Sequence, residues 1–127
     1  MDLTSNTQSM FVEVIENRFN SVLNKINLLK NDSNYEEMLK YTPRIKLDLY
    51  KYYKQATIGD CNIAEPSYDN KDEYGKWSAW NEAFNVNKKD AMISYINIYE
   101  SHLVKINEIR INDIEKKLEL LLNNATS

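Results

Sequence analysis

Leu49-Tyr50-Lys51-Tyr52-Tyr53-Lys54-Gln55-Ala56-Thr57-Ile58-Gly59-Asp60 is the stretch whose reading decides the fold. Tyrosines and lysines fill a run without glycine or proline, and Gly59-Asp60 then stops it, as a glycine just past the last turn of a helix does. Working back to Pro43, the run reads as a helix from about Pro43 to Ile58. Leu47, Tyr50 and Lys54 lie at i, i+3 and i+7, so one face presents an apolar group, a phenol and an ammonium in sequence. Taken by spacing alone, that face reads more readily as core tyrosines edged by a solvated lysine than as a binding stripe.

Upstream, Phe11, Ile15, Phe19, Val22, Ile26 and Leu29 recur at three and four, which predicts an amphipathic first helix beginning near Thr7 or Ser9. Asn31-Asp32-Ser33-Asn34 is expected to end it, with a connector from Tyr35 to Thr42. Downstream, the Asp-, Asn- and Ser-rich stretch to about Tyr74 reads as an irregular loop. A third helix is expected from about Gly75, with Trp77, Trp80 and Phe84 on an aromatic stripe facing something apolar. Lys88-Lys89-Asp90 opens a fourth, where Met92, Ile96, Tyr99 and Leu103 form the buried stripe and Ala91 and Tyr95 sit one turn apart. These four helices predict an all-α four-helix bundle.

Composition agrees. The chain has 127 residues and only two glycines and two prolines, which suits one domain with few tight turns. Cys61 is the only cysteine and His102 the only histidine, so neither an intramolecular disulfide nor a Cys/His metal site is expected. Cys61 reads as an ordinary thiol and His102 as a surface or interface residue. No secretory leader pattern and no run of about 18 apolar residues occurs. A cytoplasmic protein without a transmembrane segment is therefore expected. The formal net charge of −3 comes without a basic run, which argues against nucleic acid as a partner.

Three blocks together resemble the acyl-CoA-binding protein (ACBP) family: residues 49–60, then Lys76-Trp77-Ser78-Ala79-Trp80-Asn81, then Asp90-Ala91-Met92-Ile93-Ser94-Tyr95-Ile96. The resemblance implies an acyl-CoA-binding domain over residues 14–108; outside it lie an N-terminal extension over 1–13 and, read from its own apolar repeat, a C-terminal amphipathic helical extension over 109–127. It implies non-covalent binding of medium- to long-chain fatty acyl-CoA esters by an intracellular carrier or pool former, with no enzymatic activity and no cofactor. By the same resemblance Tyr50 and Lys54 meet the adenine and ribose 3′-phosphate end, Lys76 the nucleotide phosphates, and Tyr95 closes over the adenine region. Leu47 touches the apolar part of the ligand, and Phe19, Leu23 and Ile26 line the acyl groove.

The chemistry is consistent with such a ligand: ammonium groups attract phosphates, aromatic rings cover a base, and an apolar groove removes an alkyl chain from water. The chain also departs from the family pattern. Leu23 stands where alanine is common, Asn27 and Glu65 where lysine or arginine is frequent, Asp72 and Glu73 make the long loop acidic, and the first connector is longer than usual. The alternative reading is a helical interaction module docking a protein partner on the same surface. Beyond the family pattern, Ile111, Ile114, Leu118 and Leu121 repeat at three and four. That stripe is expected to fold back on the bundle, to pair with a second copy as a homodimer, or to lead into an additional domain.

Overall fold

The computed structural model describes residues 3–29 and 41–126, and among them four helices and no strand. They are α1 (Leu3–Leu29), α2 (Pro43–Thr57), α3 (Lys71–Glu82) and α4 (Lys88–Thr126). The end of the first helix expected at Asn31–Asn34, and the Tyr35–Lys40 part of the connector, lie outside the described residues. α2 is the hub: it packs on both α3 and α4, and α1 lies against α4. The all-α class expected from the sequence is what the chain adopts.

Local chemistry sets the boundaries. Thr42 caps α2, its Oγ1 accepting the Ile45 N–H at 3.2 Å, and Pro43 occupies the first turn, where a missing donor costs nothing. At the other end the N–H groups of Ile58 and Gly59 both donate to Lys54 O, at 2.8 and 3.2 Å. Gly59 has φ +108°, a region that L side chains rarely adopt. Asn70 caps α3 by accepting the Glu73 N–H, with Asp72 and Glu73 favourably placed in the first turn. Hence α3 starts at Lys71 rather than at Gly75, which lies inside the helix beside open space, with no atom within 4 Å of where a β-carbon would stand. Asn87 and Asp90 cap α4 reciprocally: the Asp90 N–H donates to Asn87 Oδ1 at 2.8 Å and Asn87 Nδ2 to Asp90 Oδ2 at 2.9 Å.

The core gathers Phe19, Val22 and Ile26 from α1, Leu49 and Ala56 from α2, and Ala91, Tyr95, Ile96 and Tyr99 from α4. Its stripe on α1 begins at Ile15, so Phe11 is exposed, contrary to expectation. Trp80 is buried as the aromatic stripe requires, but Phe84 is exposed because α3 has ended at Glu82 and the chain turns through Asn85, at φ 70°. His102 is buried rather than on the surface: its ring lies 4.6 Å from that of Tyr41, just ahead of α2. Both expected domain boundaries, 13/14 and 108/109, fall within continuous helices.

A polar knot closes the bundle around the end of α2. Gln55, almost fully buried, donates from Nε2 to Val86 O at 2.8 Å and to Asp60 Oδ1 at 2.9 Å. The same Asp60 oxygen accepts the Asn85 N–H at 2.9 Å, and Trp80 Nε1 donates to Gly59 O at 2.8 Å. The turn after α2 and the turn between α3 and α4 are thereby held to one carboxamide and one indole. Nearby, buried Lys51 bridges Glu82 of α3 at 2.9 Å and Asp48 at 3.6 Å.

The knot should be visible in stability measurements. Gln55→Leu keeps the volume but strands the Val86 carbonyl, and should lower unfolding free energy by about 1–3 kcal/mol in urea titrations; a variant as stable as the parent would contradict the knot. The hydrogen bond from Gln55, then that from Asn85, holds the Asp60 carboxyl below its ordinary 3.8, and the hydrogen bond and charge of Lys51 hold Glu82 below its ordinary 4.5. A carboxylate whose folded pKa is depressed stabilises the fold above its unfolded pKa and loses that contribution as pH falls through the folded value. Melting temperature should therefore fall below about pH 4.5, less steeply in Asp60→Asn and Glu82→Gln; an unchanged slope in both variants would refute this.

Candidate functional site

A groove of about 320 Å³ runs between α1, α2 and α4, lined by Leu23, Ile26 and Asn27, by Leu49, Tyr50 and Tyr53, and by Tyr95. That is the lower end of the volume typical of small-molecule sites. The helical repeat brings these residues together: Leu49 and Tyr53 are one turn apart on α2, and Leu23 and Ile26 are i, i+3 on α1. Tyr95 is buried between Phe19, whose ring stands edge-on to it at 5.3 Å, and Tyr53, at 6.5 Å. One part of the lining is aliphatic and another phenolic, so the groove is amphipathic.

At the Tyr50 end the surface becomes cationic. Lys54 Nζ of α2 and Lys76 Nζ of α3 lie 5.8 and 5.9 Å from the centroid of the Tyr50 ring, and Lys54 Nζ is also 5.3 Å from that of Trp80. Among the described residues neither ammonium takes part in an ion pair, whereas Lys51, one turn ahead of Lys54 on α2, is committed to Glu82 and Asp48. Aromatic faces hold a cation by their quadrupole without neutralising it. Both charges therefore remain available to an anion. Desolvation, followed by the negative charge of Glu73 and the Cys61 thiol, pushes the Tyr50 phenol above its ordinary 10.0, so it stays protonated at neutral pH and can donate.

Of the eight residues singled out from the sequence, Leu23, Ile26, Tyr50 and Tyr95 line the groove, and Lys54 and Lys76 flank Tyr50. Phe19 is buried behind Tyr95 and does not reach the lining, and Leu47 is half-buried outside it. Leu49 and Tyr53 escape the sequence reading, although their i, i+4 spacing offers a signal. Asn27 is in the lining as a neutral amide. Trp77 serves the loop: its Nε1 donates to Ile63 O at 3.3 Å, and Tyr74 and Tyr68 continue the cluster.

Comparison with known proteins adds three findings. The family model described as "Acyl CoA binding protein" matches residues 16–99. The chain is 33% identical over 82 residues to acyl-CoA-binding domain-containing protein 5 of Xenopus laevis, covering 65% of this chain and 17% of that relative, and 42% identical over 59 residues to an acyl-CoA-binding protein of Dictyostelium discoideum, covering 46% and 70%. Its fold is similar to the crystal structure of ACBP from Moniliophthora perniciosa, with a TM-score of 0.64 at 28% identity, over 80% of this chain and 95% of that one.

The Tyr50 environment is directly measurable. Subtracting the alkaline ultraviolet titration of Tyr50→Phe from that of the parent should isolate a phenol ionising above pH 10.0; a midpoint below that value would contradict the desolvated setting.

Proposed function

The chain belongs to the acyl-CoA-binding protein family, and from that membership together with the groove we propose that it binds fatty acyl-CoA esters non-covalently. The observation that carries the reading is a groove with partly aliphatic lining whose Tyr50 end, a protonated phenol, is flanked by two unneutralised ammonium groups. An acyl-CoA has complementary parts: phosphates for Lys54 and Lys76, an adenine for the rings of Tyr50 and Tyr95, and an alkyl chain for Leu23, Ile26 and Leu49. Burial of the chain contributes about 0.8 kcal/mol per methylene, offset by ordering costs. Each charge-assisted bond to phosphate adds about 1.5–3 kcal/mol.

Finer features belong to the same proposal. The binding domain spans residues 14–108, and the ligands are medium- to long-chain esters, with Leu23 narrowing the acyl end. Phe19 supports Tyr95 from behind, and Leu47 sits at the margin of the site. The chain acts as a carrier and pool former in lipid transport within the cytoplasm, without catalysis or a cofactor. No described helix is long and apolar enough to cross a membrane. Nothing in the groove favours a protein-docking role over this one, since a docked helix has no need of phosphate-seeking cations on two helices.

Isothermal titration calorimetry with palmitoyl-CoA, free CoA and palmitate, the ester kept below its micelle concentration, tests the reading. Palmitoyl-CoA should bind tightly, CoA more weakly and palmitate negligibly, because the site needs headgroup and chain together. Lys54→Ala and Lys76→Ala should each weaken palmitoyl-CoA binding about 10- to 100-fold while leaving the fold intact. Absence of heat with every ligand, or full affinity in both variants, would reject the site.

A further inference from the structure

α4 is 39 residues long, and from Asn107 to Ala125 every residue on it is exposed. This segment carries Ile111, Ile114, Leu118 and Leu121, each more than half exposed, so it does not fold back on the described bundle. A lone helix of that length is marginal in water, and its stability ordinarily comes from packing an apolar face. Only one heptad frame places apolar residues at four successive a and d positions. With Ile111 at a and Ile114 at d, the seam reads Val104, Asn107, Ile111, Ile114, Leu118, Leu121, Ala125. Ile109 and Leu120 fall outside it.

Charge decides what covers the seam. In this frame Arg110 and Lys117 occupy g, and Glu108 and Glu115 occupy e. In a parallel pair, g of one helix meets e of the next heptad on its partner, which joins Arg110 to Glu115 twice across the two-fold axis. The following pair, Lys117 with Leu122, is neutral in effect. In an antiparallel pair centred on the same seam, g meets g and e meets e, setting Arg110 against Lys117 and Glu108 against Glu115. Both flanks would then repel. Within the chain neither Arg110 nor Glu115 takes part in an ion pair among the described residues. Asn107 adds to this: aligned parallel helices bring it to its own copy, where two carboxamides satisfy each other, whereas the antiparallel pairing sets it against Leu118.

We propose that residues 104–125 form a parallel, in-register two-stranded coiled coil with the same segment of a second copy of this chain. Two ligand grooves are thereby carried on one stem, at residues outside the groove, so the assembly and ligand binding stand or fall separately.

Sedimentation equilibrium of the 127-residue chain should give twice the 15.0 kDa chain mass. Ile114→Asp combined with Leu118→Asp should give the single-chain mass with palmitoyl-CoA affinity unchanged. Arg110→Glu should weaken association about tenfold or more by turning two attractive pairs repulsive, and adding Glu115→Arg should restore it. In a Cys61→Ser background, Leu121→Cys should cross-link rapidly to its own copy on oxidation. A single-chain mass for the parent protein at all concentrations, no rescue by the charge exchange, or no cross-link at position 121 would each overturn the proposal.

Discussion

The carboxamide of Gln55 is the constraint on which the architecture depends. It lies in the interior near the end of α2, and from there its nitrogen holds both Asp60, beyond the α2 stop, and the Val86 carbonyl, ahead of α4. A buried donor left without partners is costly, and a buried carbonyl likewise, so the two turns are fixed together. Trp80 completes the arrangement by donating to Gly59 O while filling the space between α2 and α3. The Gly59 conformation is what lets the chain reverse closely enough for these contacts. The string from Gln55 to Asp60 is thus explained by folding, and the ligand chemistry lies just ahead of it, at Tyr50 and Lys54.

That division has a functional consequence. With the end of α2 locked to α3 through Trp80 and through Lys51–Glu82, the lysines on the two helices are held near one phenol. Burial pulls the Lys51 ammonium down, but the Glu82 hydrogen bond and the charges of Glu82 and Asp48 outweigh it and raise its pKa, keeping it charged and committed to structure. Lys54 and Lys76, which have no carboxylate partner among the described residues, keep their charge for an incoming anion. Positioning them in advance lowers the ordering cost that a flexible lysine would otherwise incur on binding.

Much of this is legible in the sequence because it is local. Proline, glycine and a three-to-four apolar repeat mark α2 and the core faces of α1 and α4 within a few residues of each site. What is not legible depends on partners distant in sequence. Lys51 reads like its neighbouring lysines until Glu82 is brought beside it. His102 reads as a surface residue until Tyr41 stacks on it. Carrying the aromatic repeat past Glu82 puts Phe84 on the inner face, whereas the helix ends there, and Gly75 reads as a boundary although the Asn70 cap already starts α3 upstream. In the groove, the polar and charged residues stand out, whereas Leu49 and Tyr53 are hidden in a helix where almost every residue is aromatic, aliphatic or basic.

The central claim is that one amphipathic groove, partly aliphatic and partly phenolic and flanked by ammonium groups at its Tyr50 end, receives an acyl-CoA ester. It is tested most directly by following backbone amide and side-chain resonances of the ¹⁵N/¹³C-labelled protein as palmitoyl-CoA is added. The largest shifts are expected at Leu23, Ile26, Tyr50, Tyr53, Lys54, Lys76 and Tyr95, with residues 107–125 unmoved. Saturable shifts that spare these seven residues and fall on another surface would contradict it.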